Sequence, residues 1–170
     1  MTHSIYSEAD FTELIEKNKK LIYKVANAYC RDYEDRKDLV QEIILQLWKS
    51  FQKYDSNFAV STWMYRIALN VSISYLRKET ARKKTFDTFS IEHGLLESDE
   101  TIATDENLKL LYEIIDRLKP LDKAVIILFL DGCRNKEISE IMGITESNVS
   151  TKIHRIKEFL SKNFKTTKQY

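Results

Sequence analysis

Residues 135–160 of the 170-residue chain read NKEISEIMGITESNVSTKIHRIKEFL, and the spacing of their glycine and capping residues is typical of two short helices joined by a tight turn. Asn135 is expected to cap the first helix, Gly143 to supply its left-handed stop, and Thr145 to cap the second helix. At about 100° per residue, four apolar side chains of the second helix share one narrow sector, which we expect to be buried. They are Val149, Ile153, Ile156 and Leu160. This pattern predicts a helix-turn-helix.

The opposite face of the second helix carries short hydrogen-bonding and basic side chains. They are Ser147, Asn148, Thr151 and Arg155, with Lys152 at the edge of the face. Side chains of this kind can reach base edges in the major groove of DNA. The alternative is an ordinary helical hairpin with a solvated face. A glycine turn, two capping residues and this outward set occur together here, and the combination favours DNA binding.

The composition favours an all-α protein, because the chain has only three Gly and one Pro while Lys, Glu, Leu and Ile are abundant. Cys30 and Cys133 stand about a hundred residues apart without a close His partner, so their spacing indicates neither a metal site nor a disulfide framework. No apolar run approaches the roughly 20 residues of a membrane span, and the first residues lack the pattern of a signal peptide. We therefore expect a reduced, cytoplasmic protein without membrane insertion.

The net charge of +1 is distributed unevenly along the chain. Residues 1–84 carry +4, residues 85–106 carry −7 and residues 107–170 carry +4. Hydrophobic periodicity fades in the acidic segment, so we predict a flexible linker between two small helical domains with these boundaries. Residues 147–170 hold six basic side chains against one acidic, which gathers positive charge on and after the second helix of the helix-turn-helix.

Three helices are predicted in the first domain, the first over about residues 8–30. Asp35 and Asp38 are expected to open the second helix, with both carboxylates in the first turn, where the helix dipole favours them. Away from its apolar stripe, this helix carries Asp38, Gln41, Glu42, Leu45 and Trp48. Such a mixed face suits a protein-binding surface. The alternative is that Trp48 packs under a neighbouring helix of the same domain, and the helical wheel leaves both readings open.

The third predicted helix begins near Ser61 and is apolar almost all round. Its main polar gap is a stripe of four residues, namely Thr62, Arg66, Asn70 and Arg77. A basic run that starts at Arg77 and Lys78 extends this stripe. A polar stripe beside stackable aromatic side chains could follow a nucleic-acid strand. The alternative is a solvated stripe on a core helix.

Three stretches together resemble bacterial RNA polymerase sigma factors, most closely the short extracytoplasmic-function type of the sigma-70 family. They are DLVQEIILQLWKSF at 38–51, STWMYRIALNVSISYLRK at 61–78 and EISEIMGITESNVSTKIHRIKEFL at 137–160. The first two are considerably more specific than a helix-turn-helix alone. In that family, the helix that matches 38–51 grips the clamp of core RNA polymerase. The resemblance therefore implies that Asp38, Gln41, Glu42, Leu45 and Trp48 bind this partner.

The resemblance also implies how the chain meets promoter DNA. Residues 55–78 resemble the part that recognises and opens the minus-ten element, and the helix from Thr145 onward resembles the reader of the minus-thirty-five element. The loop before Trp63 is a candidate for the minus-ten contact. The candidate DNA-binding residues are Arg66, Asn70, Arg77, Lys78, Ser147, Asn148, Ser150, Thr151, Lys152 and Arg155. Many relatives have a Gly-Thr pair where Ser147 and Asn148 stand, and Arg or Lys at Ser150. These departures concern the identity of the base contacts and not the docking mode.

We therefore expect a specificity subunit of RNA polymerase that needs no metal or cofactor and performs no chemistry. The three histidines are scattered, and neither a nucleophile elbow nor a Gly-rich loop is present. Sequestration by an anti-sigma factor is common in the group that the chain resembles. The rival reading is an autonomous transcriptional regulator with a LuxR-type helix-turn-helix. Such a regulator would need a receiver or ligand domain in the first half, and residues 39–78 resemble neither.

Overall fold

The computed structural model describes residues 7–86 and 106–167, and within these ranges it contains seven α-helices and no strand. The chain divides into two compact units, Met1–Leu96 and Glu97–Tyr170. The first unit contains α1 (Glu8–Tyr29), α2 (Tyr33–Phe51) and α3 (Val60–Phe86), and the second contains α4 (Glu106–Ile115), α5 (Pro120–Leu130), α6 (Asn135–Met142) and α7 (Glu146–Thr167). The all-α prediction is confirmed. The predicted linker over 85–106 lies mostly outside the described residues.

The first unit is a three-helix bundle that begins at a reciprocal cap. The Asp10 N–H donates to Ser7 Oγ at 3.2 Å, and the Ser7 N–H donates to Asp10 Oδ2 at 2.7 Å. The Ser7 hydroxyl also donates to Asp10 Oδ2, at 2.7 Å. The two bonds that the Asp10 carboxylate accepts from the Ser7 N–H and hydroxyl hold its pKa below the ordinary value, because they stabilise the charged form. Each of the three helices contacts the other two around an apolar core. Its fully buried side chains include Ile22, Val25, Leu39, Ile43, Leu47 and Met64.

The start of α2 differs from the prediction. Asp32 is the N-cap and accepts a hydrogen bond from the Asp35 N–H at 2.9 Å, and the acidic residues of the first turn are Glu34 and Asp35. Asp38 lies further along the helix, so the prediction that it belongs to the first turn is wrong. The reason is that the side-chain cap at Asp32 sets the helix start, which leaves Asp38 beyond the turn that the helix dipole acts on.

The second unit combines a largely buried helix, α5, with a long helix, α7, that contacts all the others. Pro120 occupies the first turn of this helix, where its missing N–H would have no helical partner. All six side chains from Lys123 to Leu128 are buried. The Lys123 ammonium lies 2.7 Å from Asp116 Oδ1, so its charge is paired inside the unit. The long helix α7 contacts each of α4, α5 and α6.

The helix-turn-helix predicted from residues 135–160 is confirmed in α6 and α7. Gly143 ends α6 with φ of 66°, in the left-handed region that favours glycine. Thr145 caps α7, because its Oγ1 accepts a hydrogen bond from the Asn148 N–H at 3.2 Å. In the apolar stripe of α7, Val149, Ile153 and Ile156 are buried and Leu160 is half-buried.

The prediction that Asn135 caps α6 is wrong. Asn135 is the first residue of the helix, and Arg134 precedes it as the N-cap. The Arg134 N–H donates to Glu137 Oε2 at 2.7 Å, and this bond lowers the pKa of the Glu137 carboxyl. Glu137 thus supplies the carboxylate half of a capping box, which starts the helix without a capping side chain from Asn135. The Asn135 amide instead donates to Ser150 Oγ of α7 at 2.9 Å.

Candidate functional site

The outer face of α2 combines exposed polar side chains with two exposed apolar ones. Asp38, Gln41 and Glu42 are exposed. Leu45 and Trp48 keep 43% and 40% of their surface accessible. A shallow groove between α1 and this face is lined by Glu8, Phe11, Thr12, Gln41, Ile44, Leu45 and Trp48. A continuous apolar surface with a polar rim is what a protein partner can cover.

Trp48 both packs within the unit and faces outward. Its ring lies edge to face against that of Phe11 in α1, with centroids 5.0 Å apart, and Phe11 also lies 5.2 Å from the ring of Phe51. The Trp48 ring is therefore held by α1 on one side while 40% of the residue's surface stays accessible. The contribution of α1 to this groove was not predicted. The sequence did indicate that Phe11 is buried, because it belongs to the repeating apolar positions of α1. That repeat does not show which helix lies opposite Phe11.

The stripe predicted on α3 is exposed only in part. Asn70, Arg77 and Lys78 are exposed and Arg66 is half-buried. Thr62 is only 4% exposed, so the prediction that it belongs to the polar gap is wrong. The helical wheel places Thr62 in the direction of Arg66, but it does not show that the rest of the unit covers the beginning of α3.

The turn between α2 and α3 lies in the loop before Trp63, which the resemblance made a candidate, and it presents an aromatic ring that the prediction did not name. Phe58 is 38% exposed, and the Arg66 guanidinium carbon lies 5.0 Å from its ring centroid. Two hydrogen bonds fix the turn. The Asn57 N–H donates to Asp55 Oδ1 at 2.9 Å, and the Tyr54 hydroxyl donates to the Phe58 carbonyl at 2.6 Å. An exposed ring held beside a guanidinium is a surface on which an unpaired base can stack.

The outer face of α7 is polar. Ser147, Asn148, Ser150, Thr151 and Arg155 are all exposed. Two of the hydroxyl groups are bonded within the unit: Thr151 Oγ1 donates to the Ser147 carbonyl at 3.0 Å, and Ser150 Oγ accepts from Asn135. Asn148 and Arg155 bring an amide and a guanidinium, the groups that pair with the edges of adenine and guanine through two hydrogen bonds.

Two lysines of α7 make contacts with α5. The Lys152 ammonium lies 2.7 Å from Asp122 Oδ1. The Lys157 ammonium lies 4.3 Å from the centroid of the Phe129 ring. Lys152, which the sequence placed at the edge of the outer face, is thus half-buried in an ion pair.

Burial perturbs three titratable groups of the first unit that are not among the candidate residues of these faces. Burial raises the pKa of Tyr29, Tyr75 and the Cys30 thiol, and Cys30 Sγ lies 3.5 Å from the Tyr75 hydroxyl. Among the described residues, no three His, Cys, Asp or Glu side chains are placed to hold a metal ion. Within the same part of the chain, every helix is too short or too polar to cross a membrane. The exposed faces of α2, α3 and α7 carry the apolar, hydrogen-bonding and cationic groups described above.

Comparison with known proteins identifies both units. Residues 14–82 match the family Sigma-70 region 2, and residues 108–160 match the family Sigma-70, region 4. The RNA polymerase sigma factor SigV of Bacillus subtilis (strain 168) is 30% identical over 142 residues, which cover 83% of this chain and 82% of that protein. The ECF RNA polymerase sigma factor SigW of the same strain is 25% identical over 166 residues, covering 91% and 89%.

A solved structure shares the fold. It is the sigma factor RpoE in complex with the anti-sigma factor NepR from Bartonella quintana, with a TM-score of 0.74 and 18% identity over 92% of this chain and 97% of that one. The half in which an autonomous regulator would carry its receiver or ligand domain matches sigma-70 region 2 instead. The chain belongs to the sigma-70 family of RNA polymerase sigma factors, in its extracytoplasmic-function group.

Proposed function

We propose that this chain is a dissociable specificity subunit, which binds core RNA polymerase and directs it to promoters through the minus-ten and minus-thirty-five elements. The observation that carries the proposal is the occurrence of sigma-70 regions 2 and 4 in one chain, with an apolar outer face on α2 and a polar outer face on α7. Protein interfaces are anchored by aromatic and apolar side chains, whereas DNA is met by hydrogen-bonding and cationic ones.

In this proposal the outer face of α2 binds core polymerase. Leu45 and Trp48 form the apolar centre, and Asp38, Gln41 and Glu42 form the polar rim. The contact with Phe11 restrains the Trp48 ring before the partner arrives. An anchor that is already ordered loses less conformational entropy on binding, which favours affinity.

The opened minus-ten strand meets the outer face of α3 and the turn before it. Phe58 offers a ring for stacking beside Arg66, and Asn70 lies one turn further along the same face. Arg77 and Lys78, which are exposed near the end of the helix, contact phosphates. This assignment explains why an aromatic ring and a cation are kept together at the surface.

The beginning of α7 enters the major groove at the minus-thirty-five element. Asn148 and Arg155 read base edges. Ser147, Ser150 and Thr151 lie near them as shorter hydrogen-bonding contacts, with Lys152 at the edge of the face. The net basic charge that follows along α7 attracts the phosphate backbone.

The proposal extends to organisation and regulation. The two functional domains are residues 1–84 and 107–170, and the acidic segment 85–106 tethers them. The chain supplies recognition while the polymerase supplies the chemistry, and it works in the cytoplasm, where core polymerase and promoter DNA are found. Because the solved relative RpoE forms a complex with an anti-sigma factor, we include sequestration by a partner of that kind as the mode of control.

Run-off transcription tests the proposal. Purified core polymerase is mixed with a promoter pool, with and without the chain, and the transcripts are sequenced. We expect specific start sites only when the chain is present, preceded by two shared motifs at the spacing of the minus-ten and minus-thirty-five elements. Start sites identical with and without the chain would contradict the proposal.

A further inference from the structure

The first turn of α5 is a junction between three elements of the second unit. Two neighbouring residues in this turn form ion pairs in different directions. The Lys123 ammonium meets Asp116 just after α4, and Asp122 Oδ1 meets the Lys152 ammonium of α7, both at 2.7 Å. The second pair joins residues 30 positions apart in the chain. It therefore belongs to the tertiary structure and not to the local order of one helix.

The pair between Asp122 and Lys152 is more enclosed than most ion pairs of the described residues. Its side chains are only 28% and 31% exposed, whereas those of Glu137 and Arg134 are 40% and 83% exposed. Water screens exposed pairs, so their effect is small. A pair that is mostly withdrawn from water is screened less, and a lysine engaged in it has to give up that partner before it can reach a phosphate.

Two other contacts of α7 lie on the opposite side of its buried stripe from Lys152, and they resist rotation of the helix in the other direction. On the helical wheel, Lys152 lies about 70° to one side of the buried stripe, while Ser150 and Lys157 lie about 70–90° to the other side. Ser150 accepts the hydrogen bond from Asn135 of α6, and the Lys157 ammonium lies over the Phe129 ring of α5. The helix is thus held on both flanks of its apolar stripe.

The rotation of α7 matters because its outer side chains must meet base edges within narrow limits. Side-chain ends lie about 6 Å from a helix axis, so a rotation of about 20° moves them by about 2 Å. Hydrogen bonds tolerate donor to acceptor distances of only about 2.7–3.2 Å. The apolar stripe packs α7 against its neighbours, and the ion pair adds one specific polar partner on a flank of that stripe.

We propose that Asp122 and Lys152 are positioning residues for promoter recognition: their ion pair fixes the rotation of α7, and Lys152 acts through Asp122 and not through a DNA phosphate. The inference rests on the proposed function, in which α7 reads the minus-thirty-five element. An unpaired Asp122 carboxylate would repel DNA. Paired with Lys152, it instead supports recognition by holding α7 in place.

The test uses holoenzyme assembled from core polymerase and the full chain, on a promoter selected from the pool and on a copy with a scrambled upstream element. Affinities for both are measured at several salt concentrations. We expect Asp122→Asn and Lys152→Met each to lower the preference for the intact element about tenfold, with the double variant no worse than either. The salt dependence should stay unchanged. The exchanged pair Asp122→Lys with Lys152→Asp should regain most of the preference.

A matched control is Lys119→Met, which removes an exposed cation from the N-cap of α5, close to the pair. This variant should keep the full preference. Thermal unfolding of each variant sets the assay temperature, so that all are folded when binding is measured. A role in stability alone would then leave the preference unchanged, and that result would overturn the inference.

A second result would also overturn the inference about Asp122 and Lys152. If Lys152 contacts a phosphate, Lys152→Met should lower the slope of log affinity against log salt by about 0.9, while Asp122→Asn should leave binding unchanged or strengthen it. Failure of the proposed function looks different from either result, because the wild-type holoenzyme would then show no preference between the two promoters.

Discussion

Helices α2 and α7 are built alike on their buried sides and differently on their outer sides. Each buries an apolar stripe, with Leu47 fully enclosed in α2 and Val149 in α7. Outside the stripe, α2 exposes Leu45 and Trp48, whereas the outer face of α7 begins with hydroxyl, amide and guanidinium groups. The same rule of helix packing therefore leaves one face suited to a protein and another suited to DNA.

The difference also extends to how the outer side chains are supported. Trp48 is held by a ring of α1, a contact between apolar surfaces that tolerates small shifts. Lys152 is held by an ion pair with α5, a contact between two specific atoms. A protein partner can adapt to a few tenths of an ångström, but base reading depends on hydrogen-bond distances. The ion pair of the second unit therefore suits a helix whose outer side chains must meet hydrogen-bond distances.

The largest effect is expected where the α2 face, by binding core polymerase, brings the two DNA contacts of α3 and α7 to the right spacing. We expect the free chain to bind promoter DNA at least about 100-fold more weakly than the holoenzyme, because linked contacts reinforce each other by about 10²–10⁴ only when their spacing is right. Each basic segment carries only +4, and the −7 segment between them opposes the phosphates. Fluorescence anisotropy at physiological salt, with and without core polymerase, measures this ratio.

Promoter fragments with only one intact element serve as the control, and they should lose most of the gain that core polymerase provides. Nanomolar, sequence-selective binding by the chain alone would show that the DNA contacts of α3 and α7 need no external scaffold, and it would return support to an autonomous regulator.

Next in size is the loss of an apolar anchor on α2. Leu45→Ala and Trp48→Ala should each weaken binding to core polymerase by about 2 kcal/mol or more, while the helical content stays nearly intact. The matched control is Leu47→Ala, which removes a fully buried side chain and should cost about 2–5 kcal/mol of folding stability. Titration of labelled core polymerase, together with circular dichroism, separates the two effects. If Leu45→Ala unfolds the chain, its face belongs to the core.

On α7 the comparable substitutions should change base preference and leave affinity for core polymerase unaltered. Arg155→Ala and Asn148→Ala should each cost about 1–3 kcal/mol and relax the preference at one position of the upstream element. Lys165→Ala, further along α7, is the control and should weaken all sequences alike. A promoter-library selection reports both quantities. Unchanged preferences in the Arg155 and Asn148 variants would refute the assignment of these two side chains.

A smaller effect is expected on α3. Arg66→Ala and Asn70→Ala should each weaken opening or selection of the minus-ten element by about 1 kcal/mol, the size of a single hydrogen bond, without altering core binding. Permanganate footprinting of the opened strand follows this step, and Phe58→Ala tests whether the ring beside Arg66 contributes by stacking. Normal opening in both the Arg66 and Asn70 variants would mean that the stripe is merely solvated.

Much of the fold could be predicted because it depends on local properties. Apolar periodicity fixes which side of α7 is buried. The left-handed backbone at Gly143 could be predicted because glycine, which has no Cβ, adopts that conformation without a steric cost. The wheel of α2 likewise indicated that Leu45 and Trp48 lie off the buried stripe. Local reasoning was less reliable at helix starts, because several side chains compete to cap them, as the positions of Asn135 and Asp38 show.

The sequence by itself determined the helices, their buried stripes and the family to which the chain belongs. Only the tertiary structure decided which outward side chains are exposed and which are engaged. It covers Thr62, brings Phe11 to Trp48 and Arg66 to Phe58, and joins Asp122 to Lys152. The physical reason is that a helical wheel gives the direction of a side chain within its own helix, whereas the element that meets it depends on how the helices pack.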